Sequence, residues 1–217
     1  MQLAADESID LVLKDRIKVI QKTRGYRFSE DSLRLCEFVR PMPKARGIDL
    51  GTGCGIIALV LTKEEKAGQM VGLEIQQSLA ELARRNVALN GLKGRIEVLM
   101  GDMRKVDELF PPESFDLVVS NPPYREMGRG RLSPSAEKRV AKHEWACSAE
   151  DVVRAAEYLL RPQGIFAFCQ LEERWPEIRR LLDQAHLRVL RKESILGPLQ
   201  KPKGLVLVEA VRVRGEY

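Results

Sequence analysis

No apolar run in the 217-residue chain approaches the roughly 18 residues that a membrane-crossing helix needs, so no such helix is expected. The opening stretch, Met1 to Leu13, carries Asp6, Glu7 and Asp10, charges that the apolar part of a secretory leader does not hold. The expected location is therefore cytoplasmic, with no membrane partner. Cysteine is scarce. Cys36, Cys54, Cys147 and Cys169 stand far apart and mostly within apolar runs, which argues against a disulfide framework and a zinc site and leaves them as small core fillers. No metal is expected. Neither an internal repeat nor a low-complexity tract is present, and neither sign of charge dominates: 36 Lys and Arg face 31 Asp and Glu, for a net charge of +5. That balance permits a nucleic-acid partner without requiring one. The length suits one α/β domain with a small appendage.

The appendage comes first. Ile9, Leu11 and Leu13, then Ile17 and Val19, alternate with mostly polar residues on either side of Lys14-Asp15-Arg16, a pattern that predicts a short β-hairpin. Ser29 or Asp31 can cap a helix carrying Leu33, Cys36 and Val39, which Pro41 and Pro43 end, leaving Arg40 to Lys44 as a connector. From Arg46 onward strands and helices alternate. Strands are predicted at Gly47–Leu50, Met70–Glu74, Arg95–Met100, Phe115–Ser120 and Ile165–Gln170, with helices at Ile56–Lys66, Gln77–Asn90, Ala149–Leu160 and Pro176–Gln184. Two further strands, Leu187–Glu193 and Leu205–Arg214, look like an antiparallel pair. Short apolar strands spaced by amphipathic helices predict a doubly wound, mainly parallel α/β sheet.

Two segments carry chemistry. In Asp49-Leu50-Gly51-Thr52-Gly53-Cys54-Gly55, three glycines stand where the first of these strands turns into its helix, letting a ligand approach bare backbone. Glu74 ends the next strand, where a carboxylate can accept hydrogen bonds from both hydroxyls of a ribose. The Gly-x-Gly-x-Gly spacing departs from that of dinucleotide binders, and with Asp49 it favours S-adenosylmethionine over NAD. Asp102 has two possible uses, as a partner for the adenine amino group of such a cofactor or as a helix N-cap. The second segment is Asn121-Pro122-Pro123-Tyr124, directly after the strand Phe115–Ser120. Asn121 offers a side-chain carbonyl, Pro122 a backbone carbonyl without a competing N–H, and Tyr124 a ring on which a planar group can stack. Two acceptors beside an aromatic shelf suit an exocyclic amine whose lone pair is tied up in a π-system.

In that order, Asp49 to Gly55, Glu74, Asp102 and Asn121 to Tyr124 resemble the successive motifs of class I S-adenosylmethionine-dependent methyltransferases that act on amino groups. Gly25-Tyr26-Arg27-Phe28-Ser29-Glu30-Asp31 and Ala141-Lys142-His143-Glu144 further resemble the bacterial tRNA1(Val) (adenine-37-N6)-methyltransferase family. The resemblance implies a Rossmann-like sheet of seven strands with the last one reversed. It divides the chain into an N-terminal hairpin and helix, residues 1–45, and a methyltransferase domain, residues 46–217. It also implies N6-methylation of an unpaired adenine beside the anticodon of a valine tRNA. Catalysis falls to Asn121, Pro122 and Tyr124. Asp49, Gly51, Thr52, Gly53, Gly55, Glu74, Asp102 and Asn121 are the expected cofactor contacts. Tyr26 and Phe28 either fold over the methionine end of the cofactor or anchor the hairpin. Lys142 stands where the family has Arg, and Arg125 where an aromatic residue is common.

Between Arg125 and Lys142, six bases (Arg125, Arg129, Arg131, Lys138, Arg139 and Lys142) face two acids, Glu126 and Glu137. This segment reads either as a solvated loop or as a contact for a phosphate backbone; its length beside the active-site strand favours the second. Pro123, Tyr124, Arg125, Arg129, Arg131, Lys142 and His143 are accordingly the expected substrate contacts, with His143 also suited to fixing the loop against Glu144. A protein glutamine N5-methyltransferase would present the same conjugated NH2, but that family carries a larger helical N-terminal domain. Methylation of DNA adenine or ribosomal RNA guanine is compatible with the same motifs and the same basic segment. A non-catalytic RNA-binding scaffold could keep the fold, but the complete glycine loop, Glu74 and Asn121 to Tyr124 argue against it. No obligate protein partner is evident.

Overall fold

The computed structural model describes residues 3–24, 27–122, 147–195 and 204–213. Strands β1 (Glu7–Val12) and β2 (Ile17–Lys22) pair antiparallel as the predicted hairpin, with Ile9 opposite Ile20. Helix α1 (Glu30–Phe38) leads into a sheet of β3 (Met42–Leu50), β4 (Ala67–Glu74), β5 (Ile96–Met100), β6 (Phe115–Ser120), β7 (Leu160–Leu171), β8 (Leu187–Ile195) and β9 (Leu205–Arg212). The intervening helices are α2 (Ile56–Lys63), α3 (Gln77–Leu89), the single turn α4 (Val106–Leu109), α5 (Ala149–Leu159) and α6 (Trp175–Gln184).

Among the described residues the sheet has seven strands in the order β5-β4-β3-β6-β7-β9-β8. β3 to β7 run parallel to one another, while β9 is antiparallel to both β7 and β8. This is the doubly wound order in which the ends of β3 and β6 meet at the switch point, where such sheets bind ligands. The hairpin, α1, α2 and α3 share one apolar core with one sheet face. α5 and α6 share a second core with the other.

Several boundaries differ from the sequence reading, two of them for a visible local reason, and one cap is made differently. β3 starts at Met42 inside the expected connector, so it crosses the expected 45/46 division; its register breaks between Met42 and Arg46, which lets the strand carry Pro43. β7 starts at Leu160, pairs with Phe115 and then shifts register before Ile165, with Gln163 at φ +66°. That irregularity hides the first half of the strand from any alternation pattern. Ser29 holds the N-cap position of α1 without making a cap bond, because its hydroxyl donates to the Asp31 carboxylate at 3.0 Å.

α1 is fixed at its far end by Lys66. The ammonium donates to the carbonyls of Cys36, Glu37 and Val39 at 2.7–2.8 Å, neutralising the negative end of the helix. Beyond it, Arg40 pairs at 2.9 Å with Glu209, a carboxylate fully buried on β9. Cys36, Cys54 and Cys169 are buried and Cys147 is half-buried, all as free thiols.

Candidate active site

β3 ends in buried Asp49 and Leu50. The chain then turns through Gly51, Gly53 and Gly55, all with positive φ, and enters α2 with Gly55 at φ +87°. An added Cβ at Gly55 would lie 3.3 Å from that of Ala83 on α3, so conformation and crowding both require glycine there. The loop is held by β4. Gly51 and Thr52 donate their N–H groups to the Leu73 carbonyl at 2.9 and 3.0 Å. Glu74 Oε2 accepts from Gly53 N and Oε1 from Gln76 N, both at 2.9 Å.

Two buried carboxylates thus stand at the adjacent ends of β3 and β4. Asp49 Oδ2 accepts from the Thr52 hydroxyl at 2.6 Å, whereas Asp49 Oδ1 is buried without a hydrogen-bond partner among the described residues. Burial pushes the Asp49 carboxyl up to about 7; the Thr52 hydroxyl opposes the shift and the Glu74 charge adds to it. Burial also raises Glu74, against the opposing bonds from the Gln76, Gly53 and Ile75 backbone. Each Glu74 oxygen keeps capacity for another donor, since a carboxylate oxygen accepts two. An orphaned buried carboxylate oxygen and a second carboxylate with spare lone pairs, around three glycines, fit a ligand carrying hydroxyls and positive charge.

Asp102 caps the turn Met103–Lys105 by accepting from Arg104 N at 2.9 Å. The Arg104 guanidinium also grips its carboxylate, with a shortest contact of 2.6 Å, and holds it below its usual range. The structure therefore displays the capping use, and an adenine amino group would share the carboxylate with Arg104.

The acceptor side lies at the end of β6, beside β3, where Asp49 pairs with Val119. The Ser120 hydroxyl donates to the Leu50 carbonyl at 2.9 Å, drawing the two strand ends together. Asn121 follows, its Nδ2 donating to the hydroxyl of Ser32 on α1 at 2.9 Å, and Pro122 is buried. Phe28 packs against the first core, and its N–H donates to Gln21 Oε1 at 2.9 Å, so it anchors the segment to the hairpin. The expected contacts Tyr26, Pro123, Tyr124, Arg125, Arg129, Arg131, Lys142 and His143 lie outside the described residues. Among the described residues no cluster of His, Cys, Asp or Glu could hold a metal.

Sequence reasoning missed Ser32, Arg104 and Asn86. Asn86, fully buried on α3, donates to the carbonyls of Cys54 at 2.9 Å and Ile20 at 3.0 Å and accepts from Ile20 N at 2.7 Å, so it ties the hairpin to the glycine loop. One turn on, Asn90 exchanges bonds of 2.9 and 2.7 Å with the Lys18 backbone. A signal was present, because Asn86 on the apolar stripe of α3 is a poor helix former at a core-facing position and needs a reason, whereas Asn90 at the C-cap has an ordinary one.

A family model described as a methyltransferase domain matches residues 42–195. A tRNA1(Val) (adenine(37)-N6)-methyltransferase from Porphyromonas gingivalis is 34% identical over 134 residues, covering 61% of this chain and 52% of that protein. Its counterpart from Bacteroides thetaiotaomicron is 32% identical over 162 residues, covering 73% and 64%. The chain thus spans about half the length of the first relative and somewhat less than two thirds of the second. Among solved structures, TYW2 from P. horikoshii in complex with MeSAdo superposes with a TM-score of 0.68 at 16% identity, covering 96% of this chain and 72% of that one. TrmN from Thermus thermophilus gives 0.60 at 22% identity, covering 84% and 48%. At these identities the superpositions speak for the fold, that of class I methyltransferases. The match over 42–195, laid on this sheet order and glycine loop, places the chain in the methyltransferase-domain family.

Proposed function

We propose that the protein transfers the methyl group of S-adenosylmethionine to the N6 amine of an unpaired adenine in RNA, with adenine 37 in the anticodon loop of a valine tRNA as the substrate that its relatives' names support best. The observation that carries this reading is the meeting of Asn121 and Pro122 with the glycine loop at the switch point, through the Ser120–Leu50 bond of 2.9 Å.

The adenine N6 lone pair is conjugated into the ring, so the amine must rotate or pyramidalise before it can attack. The Asn121 side-chain carbonyl and the Pro122 backbone carbonyl would accept its two N–H bonds. As positive charge grows on nitrogen, these dipoles stabilise the transition state more than the ground state, and no strong base is needed before attack. S-adenosylmethionine, when bound, supplies an electrophilic methyl group on a positively charged sulfur. Asp49, Thr52, the glycines and Glu74 would hold it, with Asp102 at the margin. Alignment of amine and methyl supplies much of the remaining acceleration. A base within a duplex cannot reach such a pocket, so the target is unpaired or flipped out, stacked on Tyr124 with Pro123 beside it. Arg125, Arg129, Arg131, Lys142 and His143 would grip the backbone around it.

The test is incubation with isotopically labelled S-adenosylmethionine and unmodified bulk tRNA, followed by digestion to nucleosides and mass spectrometry. Label in N6-methyladenosine that disappears with Asn121→Ala supports the reading. Cofactor binding without label in tRNA overturns it and redirects the search to protein glutamine and DNA. Combining Arg129→Glu with Arg131→Glu is expected to weaken RNA binding and leave cofactor affinity intact.

A further inference from the structure

Resting on the reaction proposed above, we propose that Ser32 is a positioning residue for methyl transfer, setting which end of the Asn121 amide meets the substrate amine. Ser32 lies in the first turn of α1 with 3% of its surface exposed, and its Oγ accepts from Asn121 Nδ2 at 2.9 Å across 89 positions of sequence.

The argument starts from the asymmetry of the amide. One end of the Asn121 side chain is a carbonyl that can accept an N–H of the substrate, and the other is an NH2 that can only oppose it. Half a turn about the last side-chain torsion exchanges the two. In one setting the site has two acceptors for the amine, and in the other it sets donor against donor. The two settings have nearly the same shape, so packing alone discriminates poorly between them. A hydrogen bond from Nδ2 to a buried acceptor does discriminate. A helical serine hydroxyl has carbonyls one turn back to which it can donate, leaving its oxygen to accept from Nδ2. Donation from Nδ2 also polarises the amide and strengthens the carbonyl as an acceptor.

The anchor is stiff. α1 is clamped at its C-terminal end by Lys66 through three carbonyls at 2.7–2.8 Å, and Leu35 and Cys36 are essentially without solvent contact. Ser32 is thus held by the core while Asn121 sits at a strand end. α1 lies outside the sheet that carries the glycine loop and Asn121, so the acceptor site draws one of its parts from the N-terminal segment.

The experiment compares wild type, Ser32→Ala, Asn121→Asp and the double variant for kcat, KM for tRNA, cofactor Kd and thermal midpoint. In Ser32→Ala the productive setting leaves Nδ2 facing a methyl group in place of the hydroxyl, which favours the opposite setting, so kcat is expected to fall about 10-fold or more, with KM, cofactor Kd and thermal midpoint close to wild type. Aspartate at 121 has two accepting oxygens and no NH2 end, so orientation ceases to matter. In that background Ser32→Ala is expected to change kcat less than about 2-fold, a loss of coupling readable from the cycle. Wild-type kcat in Ser32→Ala, equal losses of kcat in both backgrounds, or a loss confined to cofactor Kd or thermal midpoint each overturns the inference while label transfer by wild type upholds the reaction. Wild type that binds cofactor and transfers no label to tRNA overturns the reaction, and the inference with it.

Discussion

In the cofactor half of the site, residues 49–76 bond one another: Thr52 bonds Asp49, Glu74 bonds Gly53 and Gln76, and Leu73 bonds the turn. In the acceptor half, Asn121 is held by Ser32, a residue 89 positions away on a helix outside the sheet. The first half is a local construction that folds as part of one β-α-β unit. The second depends on the hairpin and α1 docking correctly. The contrast separates binding from chemistry, since a defect in docking should harm transfer before it harms cofactor affinity.

The sharpest way to break the comparison is Asn121→Ala. Loss of one aligned dipole at the reacting amine should lower kcat about 100- to 1,000-fold while cofactor Kd changes little; parallel loss of both in kinetics and calorimetry would merge the two halves. Next is Asn86→Ala, which strips partners from Ile20 N, Ile20 O and Cys54 O at a fully buried position. The expected cost is about 3 kcal/mol in denaturant unfolding, against less than about 1 kcal/mol for the more exposed Asn90→Ala, because unpaired buried groups keep their full desolvation penalty. Similar losses from the two would show that the hairpin docks independently of the glycine loop.

The pH dependence sharpens the cofactor half. Asp49 is raised in the folded state from 3.8 to about 7, so its contribution to stability is present below about pH 4 and lost as pH rises through about 7. Asp49→Asn cannot ionise. Its stability relative to wild type should therefore rise across that window and level off above it, as read by urea melts at fixed pH. A difference that does not vary with pH would show Asp49 to be ionised throughout. A more modest effect is expected of Gly55→Ala, about 1–2 kcal/mol for an L-residue at φ +87°, visible as a lowered thermal midpoint together with weaker cofactor binding.

What could be read from the chain follows the same division. The glycine loop, Glu74 and Asn121-Pro122 are contiguous or end strongly apolar strands, so their spacing alone locates them on the sheet. The reversed β9 was legible as an antiparallel pair with β8, although its insertion beside β7 was not. Ser32 was hidden because a serine in the first turn of a helix has an ordinary local use, and only a tertiary contact gives it another. Pro41 and Pro43 concealed the start of β3, since proline interrupts strands except where the ladder is already irregular. Asp102 was legible in both its uses, and the pairing with Arg104 at 2.6 Å decides which one the structure displays.

The insertion of β9 between β7 and β8 bears on how the chain is made. Among the described strands β8 hydrogen-bonds to β9 alone, so Leu187–Ile195 have no strand to join until β9 is present. β7 likewise waits with one edge open. Among the described strands both edges are closed by Leu205–Arg212, so neither can close before that segment is present. Until then β7 offers an unpaired apolar edge, the kind of surface on which chaperones and unwanted strand partners compete.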